Sequence, residues 1–393
     1  MPDPRVPHPL VPLGLLLIGV LSTASLVPYM GVFIVETLGK SPLHISAYAT
    51  IVIVFTLIAN RWFGARIDAG ARVAPLLLVA CCAYLIAAGA MRVAPNYVVL
   101  LLVTAPMMAI ANTAVTTMYS FGRTSADRFG WEVAGYNAKL RDITSLGWMV
   151  APALAFSVAG AFGASAVFTL GLGFGVAWGI CWLVFMPKWF QGEVAPIKPP
   201  STRAAPDGIW AAVLVCFLFS VAHAIGAGAI ALYVLQERGL PPATPGLILS
   251  AKTFAEIIVI LASPWLISKM GTERLLIVAA LGALAVYNLM SMTGRQELLV
   301  LLGLLEGGYY GTFAAAGLSF VQSFAAGRMG RATALYMNSL FVGALLGSPV
   351  MGLLASFESF STALVGASFP AAGAGLLLLV LERRRVRGLD RPC

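Results

Sequence analysis

The chain has 393 residues, 60% of them apolar and 10% charged, with 25 Lys and Arg against 16 Asp and Glu for a net charge of +9. A soluble domain carries about 45–50% apolar and about 25% charged residues, so this composition excludes an ordinary soluble enzyme, a disordered protein and a nucleic-acid binder. Lipid is the solvent for most of the chain.

A helix crosses the hydrocarbon core with roughly 20 apolar residues. Six such runs are predicted in the first half of the chain, at 10–36, 43–63, 73–91, 96–121, 134–158 and 163–186. Six more follow at 209–235, 244–267, 274–293, 297–324, 331–356 and 360–382. All are too long and too uniformly apolar for the roughly 10-residue alternating strands of a membrane barrel. The first run is span-sized and is read as a retained span, since a cleaved signal peptide has a shorter apolar core. Pro28-Tyr29 within it predicts a bend that presents an aromatic ring. Residues 187–208 hold five prolines in 22 positions, which blocks a continuous helix and predicts an extended connector. The expected organisation is a six-helix bundle over 1–186, the connector at 187–208, and a second six-helix bundle over 209–393 ending in a basic tail. Cys81, Cys82, Cys181 and Cys216 lie inside apolar runs without metal-type spacing and are read as small packing residues.

Loop charges orient the spans. With the N-terminus in the cytoplasm, 20 of the 25 cations fall on the inside, four (Lys40, Arg92, Arg238 and Arg295) on the outside, and Lys252 within a span. That asymmetry predicts an even number of spans with both termini cytoplasmic.

The two halves also match each other at an offset of about 200 residues. Arg128-Phe-Gly130 aligns with Arg328-Met-Gly330, Tyr136 with Tyr336, and Gly147 with Gly347. Asp68-Ala-Gly70 aligns with Lys269-Met-Gly271, and Pro152 falls close to Pro349. Parallel six-span repeats with substrate held between them describe one major class of secondary transporter. No G-x-x-x-x-G-K-[ST] is present to bind ATP.

The segment after the second run reads Gly64-Ala-Arg-Ile-Asp68-Ala-Gly70-Ala-Arg72. It resembles the G-x-x-x-D-x-G-x-R signature of the major facilitator superfamily, with Ala69 where a basic residue is usual and Ala71-Arg72 in place of a doubly basic end. The resemblance implies an all-α polytopic membrane protein of twelve transmembrane helices in two six-helix bundles. It also implies that Gly64, Asp68, Gly70 and Arg72 belong to a conformational latch on the cytoplasmic side. A solvated turn is the plainer alternative. Two further stretches resemble the bacterial sugar efflux transporter family. One contains Ala111-Asn112-Thr113-Ala114, Arg123, Asp127, Arg141 and Ser145-Leu146-Gly147-Trp148; the other contains Gln322, Gly327-Arg328-Met-Gly330 and Asn338-Ser339. Ala255-Glu256-Ile257 also fits that family's pattern, whereas Asp142, Lys252 and Glu306 depart from it.

A charge at the bilayer centre costs about 2.5–3.5 kcal/mol on insertion scales, so each polar residue inside a run is a candidate for function. Glu256 is the first candidate for proton coupling and Glu306 the second, with Asp142 a third. Lys252 lies one helical turn before Glu256, and an i,i+4 pairing of the two is expected; a static ion pair that fixes packing is the alternative. Glu306 precedes Gly307-Gly308-Tyr309-Tyr310-Gly311, where glycines admit a ligand or another helix and phenols offer an apolar face with a hydroxyl. That suits a sugar. Glu306, Lys252 and Tyr309 are therefore candidate substrate contacts, joined by Asn112, Thr116, Arg141, His223, Gln322, Asn338 and Tyr29. Arg141 either faces a cavity or snorkels to the surface; His223 is either a ligand or a packing residue.

Neither a G-x-S-x-G nor an H-E-x-x-H motif occurs, and His8, His44 and His223 are not spaced as metal ligands; no enzyme, metal or cofactor is expected. The reading is a monomeric secondary transporter of the bacterial inner membrane, exporting a sugar or small glycoside by proton antiport with alternating access between two bundles. Direction of transport rests on the resemblance alone. A proton-coupled multidrug exporter is the runner-up, and Gly147-Trp-Met-Val-Ala151-Pro152 matches that group's G-x-x-x-G-P pattern only in part. A transport-dead sensor of the same fold is a third reading.

Overall fold

The computed structural model describes residues 8–192, 208–324 and 329–386. Positions 193–207 of the expected connector, Gly327-Arg328 of the expected repeat, and the basic tail from 387 lie outside the described residues.

Among the described residues, twelve helices are long and apolar enough to cross a membrane. They are α1 (Leu10–Thr37), α2 (Pro42–Asp68), α3 (Val73–Val93), α4 (Tyr97–Arg128), α5 (Gly135–Phe162) and α6 (Ala164–Phe185). The second set is α7 (Ile209–Glu237), α8 (Thr244–Met270), α9 (Thr272–Met292), α10 (Gln296–Ser323), α11 (Leu335–Phe357) and α12 (Phe360–Arg383). All twelve predicted runs are helices, because a backbone in lipid must satisfy its own N–H and C=O groups. Several helices outrun the apolar stretch that revealed them. The α2 helix continues to Asp68, so Gly64 sits in its last turns and not in a loop as the sequence implied. Apolar length measures the bilayer, whereas the helix continues wherever its hydrogen bonds do. Among the described residues the only β-pairing is an isolated bridge between Arg72 and Gln191.

The chain divides into two compact units, Met1–Lys40 with Tyr48–Pro199, and Ser41–Ala47 with Pro200–Cys393. In the first, α1 packs on α5 and α6, and α3 on α4 and α6. Phe33, Phe121, Phe156, Phe168 and Trp178 fill its interior. In the second, α7 packs on α11 and α12, α9 on α10 and α12, and α8 on α10. Its interior holds Phe219, Phe313, Phe320, Tyr233 and Tyr287. Large apolar side chains such as Ile58, Leu102, Leu183, Leu261, Leu281 and Phe369 are exposed, as expected of helices whose outer face meets lipid tails. Cys81 and Cys216 are buried and donate to the Gly175 and Gly317 carbonyls, which is the packing role expected of them.

The internal repeat is visible in the backbone. Both α1 and α7 end in a π-helical turn, at Phe33–Thr37 and Tyr233–Glu237. Each is closed alike: Lys40 N donates to Ile34 O at 3.1 Å, and Leu240 N to Val234 O at 3.1 Å. Gly39 and Gly239 follow with φ of +63° and +60°, a left-handed conformation that glycine adopts without strain. Gly70 and Gly271 match again, at +78° and +76°. Gly147 of α5 abuts Val20 of α1, and Gly347 of α11 abuts Val221 of α7. Pro28 interrupts α1 between Leu26 and Tyr29, and the Tyr29 ring turns inward onto Phe156.

One contact sets the geometry of the second unit. Gly303, Gly307 and Gly311 form one face of α10, and Ile248, Lys252 and Glu256 repeat at the same spacing on α8. A β-carbon at Gly303 would stand 2.9 Å from the Ile248 carbonyl oxygen, and one at Gly311 2.9 Å from that of Glu256. At Gly307 it would overlap the Lys252 carbonyl, whereas at Gly308 it would meet nothing within 4 Å. Gly307→Ala is therefore expected to destabilise by about 1–3 kcal/mol through overpacking. Gly308→Ala is expected to be neutral or stabilising by up to ~1 kcal/mol through helix propensity. Thermal unfolding of the two variants in detergent checks the contrast.

Candidate functional site

The close approach of α8 and α10 puts Lys252 beside the residue that precedes Gly307. Lys252 Nζ lies 3.0 Å from Glu306 Oε1, with side-chain exposures of 8% and 3%. Lys252 thus pairs with Glu306 on a neighbouring helix, a partner that spacing along α8 did not indicate. An i,i+4 pair is only one geometry available to a long side chain; here the glycine contact supplies a carboxylate from outside the helix.

His223 on α7 completes the group. Its Nδ1 is 3.4 Å from Lys252 Nζ and 3.9 Å from Glu306 Oε1. An ammonium has only donors, so Nδ1 accepts and the imidazole proton sits on Nε2. The imidazole stacks on Tyr310 with ring centroids 3.9 Å apart, and Lys252 Nζ stands 5.1 Å from the centre of the same phenol. Cation and aromatic face attract in such a geometry. Tyr287 of α9 donates to Glu306 Oε1 at 3.5 Å, and its hydroxyl makes a short hydrogen bond with that of Tyr309. Glu256 is half-buried and acts electrostatically on Tyr309 and Tyr310.

Four sequence candidates, Glu306, Lys252, His223 and Tyr309, therefore converge, and Glu256 stands one turn along α8. Tyr287 was not anticipated. Its only sequence signal is being the one aromatic residue of the ninth run; its approach to Glu306 depends on how α9 and α10 pack. Tyr310, read only as part of a glycine–tyrosine string, proves to be the platform under His223 and Lys252. Gln322 in the last turn of α10 donates to Thr333 Oγ1 at 2.9 Å, just ahead of α11. Asn338 on α11 is exposed.

The first unit holds its candidates in smaller groups. Asn112 donates to Thr56 at 3.4 Å, and Thr116 to Asn60 at 2.9 Å, both tying α4 to α2. Arg141 and Asp142 are exposed on α5 and lie within electrostatic reach of Tyr119, which bonds Thr144 at 3.0 Å. Tyr29 is buried.

The expected latch is a helix terminus. Gly70 N donates to Ile67 O at 2.9 Å and Ala71 N to Arg66 O at 3.0 Å, the glycine-terminated cap that closes α2. The turn is strapped from behind: Val73 N donates to Phe190 O and Gly192 N to Ala71 O, and Arg128 donates to Gln191 O at 3.3 Å. Asp68 and Arg72 are exposed, and among the described residues no ion pair joins them. Nor, among these residues, do three His, Cys, Asp or Glu side chains gather as a metal would require.

A buried charge that loses its partner keeps its desolvation cost, typically about 3–5 kcal/mol. Lys252→Met is therefore expected to lower stability by that order, and Lys252→Met combined with Glu306→Gln to recover most of it. Thermal unfolding in one detergent, arranged as a double-mutant cycle, measures the difference.

Comparison with known proteins agrees with this architecture. A family model for the Major Facilitator Superfamily matches residues 209–392. Sugar efflux transporter A of Escherichia coli is 26% identical over 340 residues, covering 84% of each chain. Sugar efflux transporter A of Dickeya chrysanthemi is 27% identical over 286 residues, 72% of each. A putative sugar efflux transporter of Deinococcus radiodurans is 24% identical over 401 residues, 97% of this chain and 100% of that one. Among solved structures, the nucleoside transporter NupG superposes with a TM-score of 0.77 at 14% identity, covering 95% of this chain and 99% of that one. A peptide transporter, POT, superposes with a TM-score of 0.77 at 13% identity and 97% coverage of each; at such identity the likeness concerns the fold. With twelve membrane helices among the described residues, an internal repeat, a superfamily match over its second half and relatives that span most of its length, the chain is a multi-pass membrane protein similar to transporters of the Major Facilitator Superfamily.

Proposed function

We propose that this transporter exports a sugar or small glycoside across the bacterial inner membrane in exchange for protons. It works as a monomer by alternating access, with both termini in the cytoplasm. The observation that carries the reading is the enclosed Lys252–Glu306 pair within a shell of Tyr287, Tyr309, Tyr310 and His223. The names of its relatives, sugar efflux transporters, support the substrate class and direction proposed here.

The chemistry fits a neutral polyol. Phenol faces accept the C–H side of a sugar ring, and hydroxyls exchange hydrogen bonds with the carboxylate, imidazole and phenols. A cationic drug would have to displace Lys252, an ammonium already 3.0 Å from the acid, and so gains less from this site. Proton coupling follows from the same pair. While Glu306 is ionised it neutralises Lys252; a proton on Glu306 removes that attraction and leaves a lone ammonium in a low-dielectric interior, which changes the cost of keeping the site closed. Glu256, with electrostatic reach to the same tyrosines, is the second carboxylate in this scheme, and Asp142 the third. Asn112, Thr116, Arg141, Gln322, Asn338 and Tyr29 are proposed as further substrate contacts. Gly64, Asp68, Gly70 and Arg72 form the proposed latch.

Flux of labelled lactose and glucose into proteoliposomes, with and without an imposed pH gradient, tests the reading. The expected result is uphill accumulation that collapses with a protonophore. Flux of cationic drugs without sugar flux would replace it with the multidrug reading; substrate-induced thermal protection without any flux would replace it with a sensor. Glu306→Gln is expected to abolish gradient-driven accumulation while retaining sugar-for-sugar counterflow. Unchanged accumulation in that variant, with loss in Glu256→Gln, would move the coupling role to Glu256.

A further inference from the structure

We infer that the first unit carries a binding subsite of its own for the hydroxyls of an uncharged sugar, made by the side-chain amides of Asn60 and Asn112 and steadied by Thr116 and Thr56. The subsite deepens the sugar-export reading and rests on it for its substrate class.

The four residues form two rungs between α2 and α4. Thr116 Oγ1 lies 2.9 Å from Asn60 Oδ1, and Asn112 Nδ2 lies 3.4 Å from Thr56 Oγ1. Positions 56 and 60 are one turn apart on α2, as are 112 and 116 on α4, so each pair shares a helix face. Thr56 and Asn112 stand near the midpoints of their helices. The rungs do not lie on a lipid face. On α2 the exposed apolar stripe is Phe55, Ile58 and Trp62, about 150° round the helix from Thr56 and Asn60. On α4, Thr116 is the one exposed residue between Ala105 and Gly122, and Asn60 and Asn112 are half-buried. Polar side chains that are open at mid-depth and turned from lipid meet water or a ligand.

An asparagine amide has two polar ends, and each rung uses one of them. The other ends, Asn60 Nδ2 and Asn112 Oδ1, have no hydrogen-bond partner among the described residues. Hydrocarbon penalises such groups, whereas a hydroxylated ligand satisfies them. Neighbouring hydroxyls on a sugar ring call for a donor and an acceptor together, which is what the two spare ends supply. Thr116 and Thr56 hold the amides before a ligand arrives, so less ordering remains to be done on binding. None of the four side chains is charged, and a cationic drug finds no counter-ion among them. The second unit differs, since Lys252 and Glu306 place full charges at its site. Recognition of neutral hydroxyls therefore has a place in the molecule apart from the ionisable pair.

Equilibrium binding of labelled lactose to the purified full-length protein in detergent tests this, with displacement by lactose analogues that each lack one hydroxyl. Asn60→Leu keeps a side chain of similar size and removes the amide; lactose is expected to bind it about 3- to 10-fold more weakly. At least one analogue is expected to bind the parent more weakly than lactose by a similar factor. In Asn60→Leu that penalty is expected to vanish, because the missing hydroxyl has no partner left to lose. Asn112→Leu is expected to erase the penalty of a neighbouring hydroxyl. Rungs that only tie α2 to α4 would weaken lactose and every analogue alike. Hydroxyl penalties that stay intact in both variants therefore overturn the inference, as does an unchanged affinity for lactose. If one variant does not fold, the other decides. A parent that binds neither lactose nor glucose removes the sugar reading and the subsite with it; a parent that binds, with intact penalties in the variants, removes the subsite alone.

Discussion

A backbone dissolved in lipid finds no water to complete its hydrogen bonds, and every level of this structure answers to that constraint. It makes all twelve apolar runs helical and leaves side-chain packing to decide where the helices touch. Apolar burial drives little association when the alternative solvent is itself hydrocarbon, so closeness of approach governs the contacts. The α8–α10 contact illustrates this. Three glycines on one helix admit the carbonyls of the other, and with backbones in contact a lysine and a glutamate from different helices are brought to ion-pairing distance.

The consequences spread outward from that pair. Charge in a low-dielectric interior is tolerated when it is compensated, and each surrounding group contributes something an apolar side chain lacks. Lys252 supplies the counter-charge, His223 a lone pair toward the ammonium, Tyr310 an aromatic face under both, and Tyr287 a hydroxyl toward the carboxylate. Proton exchange and recognition of hydroxyl-rich molecules draw on the same features, a carboxylate of adjustable affinity and several directed donors and acceptors. The proposed coupling of sugar to protons at one place is economical for that reason.

The two units use a common plan to different ends. Their π-helical turns, left-handed glycines and close α1–α5 and α7–α11 approaches correspond at an offset of about 200 residues. The first unit, however, has no equivalent of the Lys252–Glu306 pair among its described ion pairs. Its polar residues tie α2 to α4 and surround Tyr119, and its α2–α3 turn is held by the strap at Phe190–Gly192. The two units share features of their scaffold, whereas the buried ion pair among the described residues lies in the second.

Local sequence determined the solvent, the number of helices, the repeat and the short list of intramembrane charges. Each is a property of composition or of spacing along one helix: apolar length against bilayer thickness, the glycine that ends α2, the cost that makes Glu306 and Lys252 conspicuous. Tertiary structure decided who meets whom. Lys252 could be matched to Glu256 from spacing alone, but Glu306 lies 54 positions away and becomes its partner through the glycine contact. Tyr287 was invisible for the same reason, because its hydroxyl meets Glu306 only when α9 packs on α10. Helix periodicity encodes which residues share a face; which face opposes it is set by packing between helices distant in sequence, and that information is carried by no single segment.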